Sequence, residues 1–165
     1  MSSCTNAPVL ALAMILLSCG GGGSSPAVTS LVPANYATTY TQVRGCRTTV
    51  EHANAIAAQG IVTNIRVLIN PEAAAAYLAN APTLPVGTVV IKEESDAADC
   101  SHVTAWSVNV KEAPGYDTAN HDWHWQRVLA SSNAVLEDGR VNRCFSCHQD
   151  SECAPMNRDL MCTTP

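Results

Sequence analysis

The chain has 165 residues, of which 47% are hydrophobic and 14% charged, and its formal net charge is -5. Length and composition suit one domain around a single core. The acidic balance argues against nucleic acid and anionic lipid surfaces, which require a basic patch, and the 5% aromatic content argues against base-stacking platforms.

Eight cysteines point to an oxidising compartment. The N-terminus reads the same way. Ala7 to Leu17, APVLALAMILL, is too short an apolar run to span a bilayer and suits the h-region of a signal peptide. Leu16-Leu17-Ser18-Cys19 resembles the bacterial lipobox, in which the cysteine carries lipid and becomes the first mature residue. Residues 1–18 therefore read as a lipoprotein-type signal, although Met1 to Pro8 lacks the usual Lys or Arg; a plain secretory signal cut elsewhere is the alternative. GGGGSS, Gly20 to Ser25, is a flexible tether within 19–30, so the folded domain is expected over 31–165, exported and held at a membrane only through Cys19.

Tyr36 to Ala58 has mixed helical character, broken near Gly45. Asn64 to Asn70 is a β-branched strand closed by Pro71, and Glu72 to Leu78 is an Ala-rich helix. A Pro85-Val86-Gly87 turn leads into a strand from Thr88 to Glu94. Thr104 to Lys111 alternates cleanly, and Asp122 to Leu129 is a fourth strand. Period two groups Ile65, Val67 and Ile69 with Val89 and Ile91 and with Trp106, Val108 and Val110 as a dry face. Arg66, Lys92, Glu94, Ser107 and Asn109 would then share the polar face, which is either solvated or laid over a cofactor. In the fourth strand Trp123, Trp125 and Arg127 oppose His124 and Gln126. Asp138-Gly139 is a turn signal leading to the next motif.

Cys144-Phe145-Ser146-Cys147-His148 is C-x-x-C-H. This spacing lets two thiols add to the two haem vinyl groups while the adjacent imidazole supplies an axial nitrogen to the iron. Haem c bonded to Cys144 and Cys147, with His148 on the iron, is the leading reading. A zinc site of Cys144, Cys147, His148 and Cys153 is disfavoured, because zinc sites usually pair well-separated ligand couples. A thioredoxin-like C-x-x-C would need an early βαβ context. The chain after His148 offers Met156 and Met161 as second ligands, both better explained as packing residues, so upstream segments must build the far face of the haem. His121 and His124 are further candidates for a second ligand. With Cys4 in the signal, Cys19 lipidated and two cysteines on haem, Cys46, Cys100, Cys153 and Cys162 remain; a local Cys153–Cys162 pair would leave Cys46 with Cys100, among three possible connectivities.

NIRVLINP, PVGTVVIKEES, DWHWQRV and CFSCHQD, in that order, resemble the cytochrome P-460 family over roughly Tyr36 to Met161. The resemblance implies an α+β domain: an antiparallel β-sheet with flanking helices, a C-terminal haem site, a five-coordinate iron with an open face, and a homodimer. It also implies that Lys92 is the lysine bonded to a haem meso carbon, that Arg66 is the distal arginine, and that Asp159 is the acidic residue following the haem motif. Members that oxidise hydroxylamine carry a distal glutamate where this chain has Ser107; serine is a poor proton acceptor, and Glu94 is the available substitute. Three functions compete. The first is oxidation of hydroxylamine or a related small nitrogen species, with Lys92, Arg66 and Glu94 in the site and an electron-accepting cytochrome as partner. The second is binding of nitric oxide or a similar gas without turnover. The third, electron transfer alone, requires a sixth ligand.

Overall fold

The computed structural model describes residues 28–49, 63–149 and 159–161. The signal, Cys19, the tether, Met156 and the expected Cys153–Cys162 pair lie outside the described residues. The rest is α+β, with a six-stranded sheet in the order β1-β2-β3-β4-β5-β6 and every neighbouring pair antiparallel. The strands are β1 Thr41–Thr49, β2 Thr63–Ile69, β3 Val89–Ser95, β4 Val103–Lys111, β5 Trp123–Leu129 and β6 Val135–Gly139. Among the described residues three α-helices accompany them, α1 Tyr36–Thr39, α2 Pro71–Leu78 and α3 Asn142–Gln149, with a short 3-10 turn at Thr118–Asn120.

Local chemistry explains the corners. Pro71 opens α2, where its missing N–H costs nothing. The Asn70 side chain accepts from Val89 N at 2.8 Å and donates to Gly87 O at 3.2 Å, closing the exit of β2 against the start of β3. Gly139 adopts φ 91°, a conformation that glycine reaches without steric cost, and so turns the chain from β6 towards α3.

Two expectations are corrected here. Of the segment expected to be helical from Tyr36 to Ala58, the described part is a single helical turn and then β1, rich in threonine and interrupted by register shifts between Gln42 and Arg44 and between Arg44 and Arg47; residues 50–58 lie outside the described residues. Such bulges break the alternation by which a strand is recognised. The second correction concerns faces. Cross-strand partners share a face, and Val67 pairs with Lys92, Lys92 with Ser107, Ser107 with Arg127, and Arg127 with Glu137. Arg66 pairs instead with Glu93, and Glu93 with Trp106. The apolar face of β2 thus joins Lys92, and Arg66 looks the other way. A shift of one residue reverses a strand's faces, and β2 gives little guidance because both of its faces are buried.

The two faces carry separate cores. One contains Val67, Ile69, Ala73, Ala74, Tyr77, Leu84, Val90, Trp123, Trp125, Leu160 and Met161, with Cys144 and Phe145 packed against it. The other contains Tyr36, Leu68, Ile91 and Val108 beneath Leu31, Val32 and Tyr40. Cys46 on β1 is bonded to Cys100 in the β3–β4 connection, with Cα atoms 5.7 Å apart, which ties the edge strand to a loop two strands away. Closing a loop of 54 residues restricts the unfolded chain by about 4 kcal/mol on a chain-entropy model. The double variant Cys46→Ser/Cys100→Ser should lose roughly 2–4 kcal/mol of stability, read as a lower denaturant midpoint with an unchanged folded-state circular dichroism spectrum.

Candidate haem site

Helix α3 carries Cys144, Cys147 and His148. Residues three apart on a helix are surface neighbours, so both thiols lie on one side, and His148 follows directly. Cys144 is partly buried against the Trp125 core, Cys147 is exposed, and both are free thiols. Burial, with Glu137 adding to it, pushes the Cys144 thiol up to about 11.

His148 is 7% exposed and is fixed from two directions. Its Nδ1 lies 2.5 Å from Leu160 O. A carbonyl only accepts, so Nδ1 carries the proton and Nε2 keeps the lone pair. The Trp125 ring meets the imidazole edge-on, with centroids 4.7 Å apart. Burial, and then the charge of Lys92, push the His148 pKa down to about 3 against the opposing Leu160 hydrogen bond. The imidazole is therefore neutral at physiological pH, as a metal ligand must be.

The Leu160 carbonyl is held by the residue before it. Asp159 is 1% exposed; its Oδ1 accepts from Lys111 Nζ at 2.6 Å and pairs with His121 Nδ1 at 3.1 Å, and its Oδ2 accepts from Leu84 N at 2.8 Å. Its backbone oxygen accepts from Trp123 Nε1 at 2.8 Å. Asp159 and Leu160 both have left-handed backbones, φ 49° and 59°. Non-glycine residues hold such conformations when their surroundings over-determine them, and here four donors do so.

Lys92, Glu94 and Arg127 occupy the same sheet face as Trp125. Lys92 is 9% exposed and acts electrostatically on both Cys144 and His148. Glu94 is 1% exposed; its Oε1 accepts from Ser107 Oγ at 2.8 Å and its Oε2 from Arg127 Nη2 at 2.8 Å. Beyond Arg127, Glu137 pairs with Arg143 of α3, so alternating charges run from β3 to the haem-motif helix.

Other sequence candidates fall elsewhere. Arg66 pairs with Glu93 at 2.5 Å, and Glu93 also accepts from Tyr36 Oη at 2.8 Å, all on the face away from Lys92. His124 lies on that opposite face too, bonded to Glu112 and Asp138 and stacked on Tyr116. His121 is engaged by Asp159, and Met161 is packed in the core. Arg127, Lys111 and the Leu160 carbonyl were not singled out from the sequence. Arg127 could have been, because it shares the alternating row of Trp123 and Trp125; a backbone carbonyl leaves no signal in side-chain identity.

This donor set fits a c-type haem. Two thiols one helical turn apart precede an imidazole whose Nδ1 is spent on the protein and whose Nε2 would be the coordinating atom. Among the described residues no three His, Cys, Asp or Glu side chains converge as a metal site would require; Cys153, the fourth ligand of the zinc alternative, lies outside them. The antiparallel sheet preceding the motif excludes a thioredoxin-like context. Replacing Asp159 with alanine strands the Lys111 ammonium in the core; a loss of roughly 3–5 kcal/mol is expected in thermal or denaturant unfolding.

Comparison with curated proteins found no match. A family model described as Cytochrome P460 matches residues 37–156, which include all six strands, most of α1 and the complete C-x-x-C-H motif. With most of its length matched, and with its imidazole and thiols placed as described, the chain belongs to the Cytochrome P460 family of c-type haem proteins.

Proposed function

We propose that the chain holds haem covalently through Cys144 and Cys147, with His148 on the iron, and oxidises hydroxylamine or a related small nitrogen species. When bound, the haem supplies an iron that coordinates the nitrogen ligand and takes up its electrons, which pass to an electron-accepting cytochrome. The observation that carries this reading is Glu94: a buried carboxylate on the Lys92 face, held by Ser107 and Arg127.

Hydroxylamine oxidation releases protons, and an acceptor must stand near the reacting nitrogen. Ser107, where hydroxylamine-oxidising relatives have a carboxylate, instead donates its hydroxyl to Glu94 on the neighbouring strand. The carboxylate is thus supplied from β3 and oriented from β4. Oε1 accepts from both Ser107 Oγ and Arg127 Nε, whereas Oε2 accepts only from Arg127 Nη2 and keeps a further lone pair on which the group can accept a proton without breaking the Arg127 pair. Arg127, rather than Arg66, is the guanidinium on this face and would stabilise negative charge developing on the ligand. Lys92, two residues from Glu94, is the amine for a bond to the macrocycle. Export to an oxidising compartment belongs to the same proposal, supported by the Cys46–Cys100 disulfide; anchoring at Cys19 and a homodimer complete it.

Gas binding without turnover would use the same site without needing a base. Dye reduction by hydroxylamine separates the two readings. Glu94→Gln should lower turnover about 10²–10⁴-fold while leaving the haem absorption spectrum intact; tight nitric oxide binding with no dye reduction by the unaltered protein selects the gas-binding reading. In Lys92→Ala, mass spectrometry of the haem peptide should show only the two thioether bonds. The peptide containing residue 92 should travel with the porphyrin in the unaltered protein alone.

A further inference from the structure

On the sheet face towards α3, buried polar groups are met by partners: Asp159 by Lys111, His121 and Leu84, and Glu94 by Ser107 and Arg127. Trp125 is different. The residue is 2% exposed, and its Nε1 has no hydrogen-bond partner among the described residues. The other two tryptophans show what an indole N–H finds elsewhere in this fold: Trp106 Nε1 donates to Tyr36 Oη at 2.7 Å and Trp123 Nε1 to Asp159 O at 2.8 Å. Leaving a buried donor unmade costs roughly 1–3 kcal/mol, and an unsatisfied group in an otherwise satisfied interior calls for a partner that is not part of the packing.

The surroundings say which partner. The Trp125 ring touches the His148 imidazole, and Asn109, 7% exposed, is its cross-strand neighbour on β4. Val67, Ile69 and Val90 in the same core offer no side-chain acceptor. Trp125 and Asn109 therefore form a polar spot in an apolar wall beside the coordinating imidazole. We propose that the Trp125 indole N–H donates a hydrogen bond to a propionate carboxylate of the haem, and so holds the propionate edge of a macrocycle whose rotation the two thioether bonds already fix. This rests on the haem reading above. A ligand on the iron's open side is a poorer acceptor for this donor, because Trp125 packs against the imidazole that holds the other side. A carboxylate acceptor makes the bond charge-assisted, favouring the ionised propionate.

The test uses the holoprotein. In ¹⁵N-labelled protein in the diamagnetic ferrous, carbon monoxide-bound form, three indole N–H signals are expected, and Trp125→Phe identifies one by its loss. That signal should be shifted downfield and exchange slowly with solvent, as for a bonded donor. In parallel, the reduction potential is followed from pH 4 to pH 9. Its propionate-linked inflection should move up by about one pKa unit in Trp125→Phe, which keeps the aromatic packing and removes the donor. A Trp125 indole proton with the shift and exchange of an unbonded group overturns the pairing, as does an inflection at the same pH in both proteins. If Trp125→Phe fails to fold, the indole signal is assigned in the unaltered protein by its contacts to His148, and its shift and exchange decide. Protein matured in a competent host that holds no covalent haem overturns both this pairing and the function it rests on; a haem protein with an unbonded indole overturns the pairing alone.

Discussion

The hydrogen bond from His148 Nδ1 to the Leu160 carbonyl is the constraint around which the site is arranged. It selects the tautomer and turns Nε2 outward. It also makes the group that accepts from Nδ1 a neutral carbonyl rather than a carboxylate. Hydrogen bonding to a ligating histidine tunes its donor strength, so a carbonyl keeps the imidazole closer to its neutral character than a carboxylate would. Asp159 is adjacent in sequence, but its charge is directed into Lys111 and away from the imidazole. The aspartate acts through backbone conformation: by holding two successive left-handed residues it aims the next carbonyl.

The sheet does for the opposite wall what the clamp does for the imidazole. Lys92 and Glu94 sit on β3, which is hydrogen-bonded on both sides, by β2 and β4. Neither side chain can change face without a register shift in three strands. Val67, Lys92, Ser107, Arg127 and Glu137 form a continuous row; Arg127 pairs with Glu94 on the same face, and Glu137 with Arg143 on the helix bearing the thiols. Sheet and motif helix are thereby joined electrostatically as well as by the apolar packing of Cys144 and Phe145. Rigid elements hold functional groups more closely than loops do.

Much of this was legible in the residues. The β2 to β5 strands and α2 were each found to within a residue or so, because β-branched runs, a Pro71 stop and a Pro-Val-Gly turn are local signals. C-x-x-C-H named its own chemistry, and Lys92 with Glu94 on one face followed from alternation within a single strand. Failures came where information is not local. β1 was missed because its bulges spoil the period. Arg66 was placed beside Lys92 because alternation orders residues within a strand but does not set one strand's phase against the next; pairing does. Arg127 gained its role from Glu94, 33 positions away, and Leu160 acts through an atom that every residue possesses.

Sequential pairing of neighbours in the sheet has a consequence for how the protein is assembled. Translation delivers the chain from its N-terminus, so all six strands of the described sheet arrive before the two thiols, and Asp159 arrives after both. The wall bearing Lys92 and Glu94 can be standing while α3 is still accessible for thioether chemistry. Only the last piece, the aspartate that docks on Lys111, gives the His148 imidazole its fixed bearing.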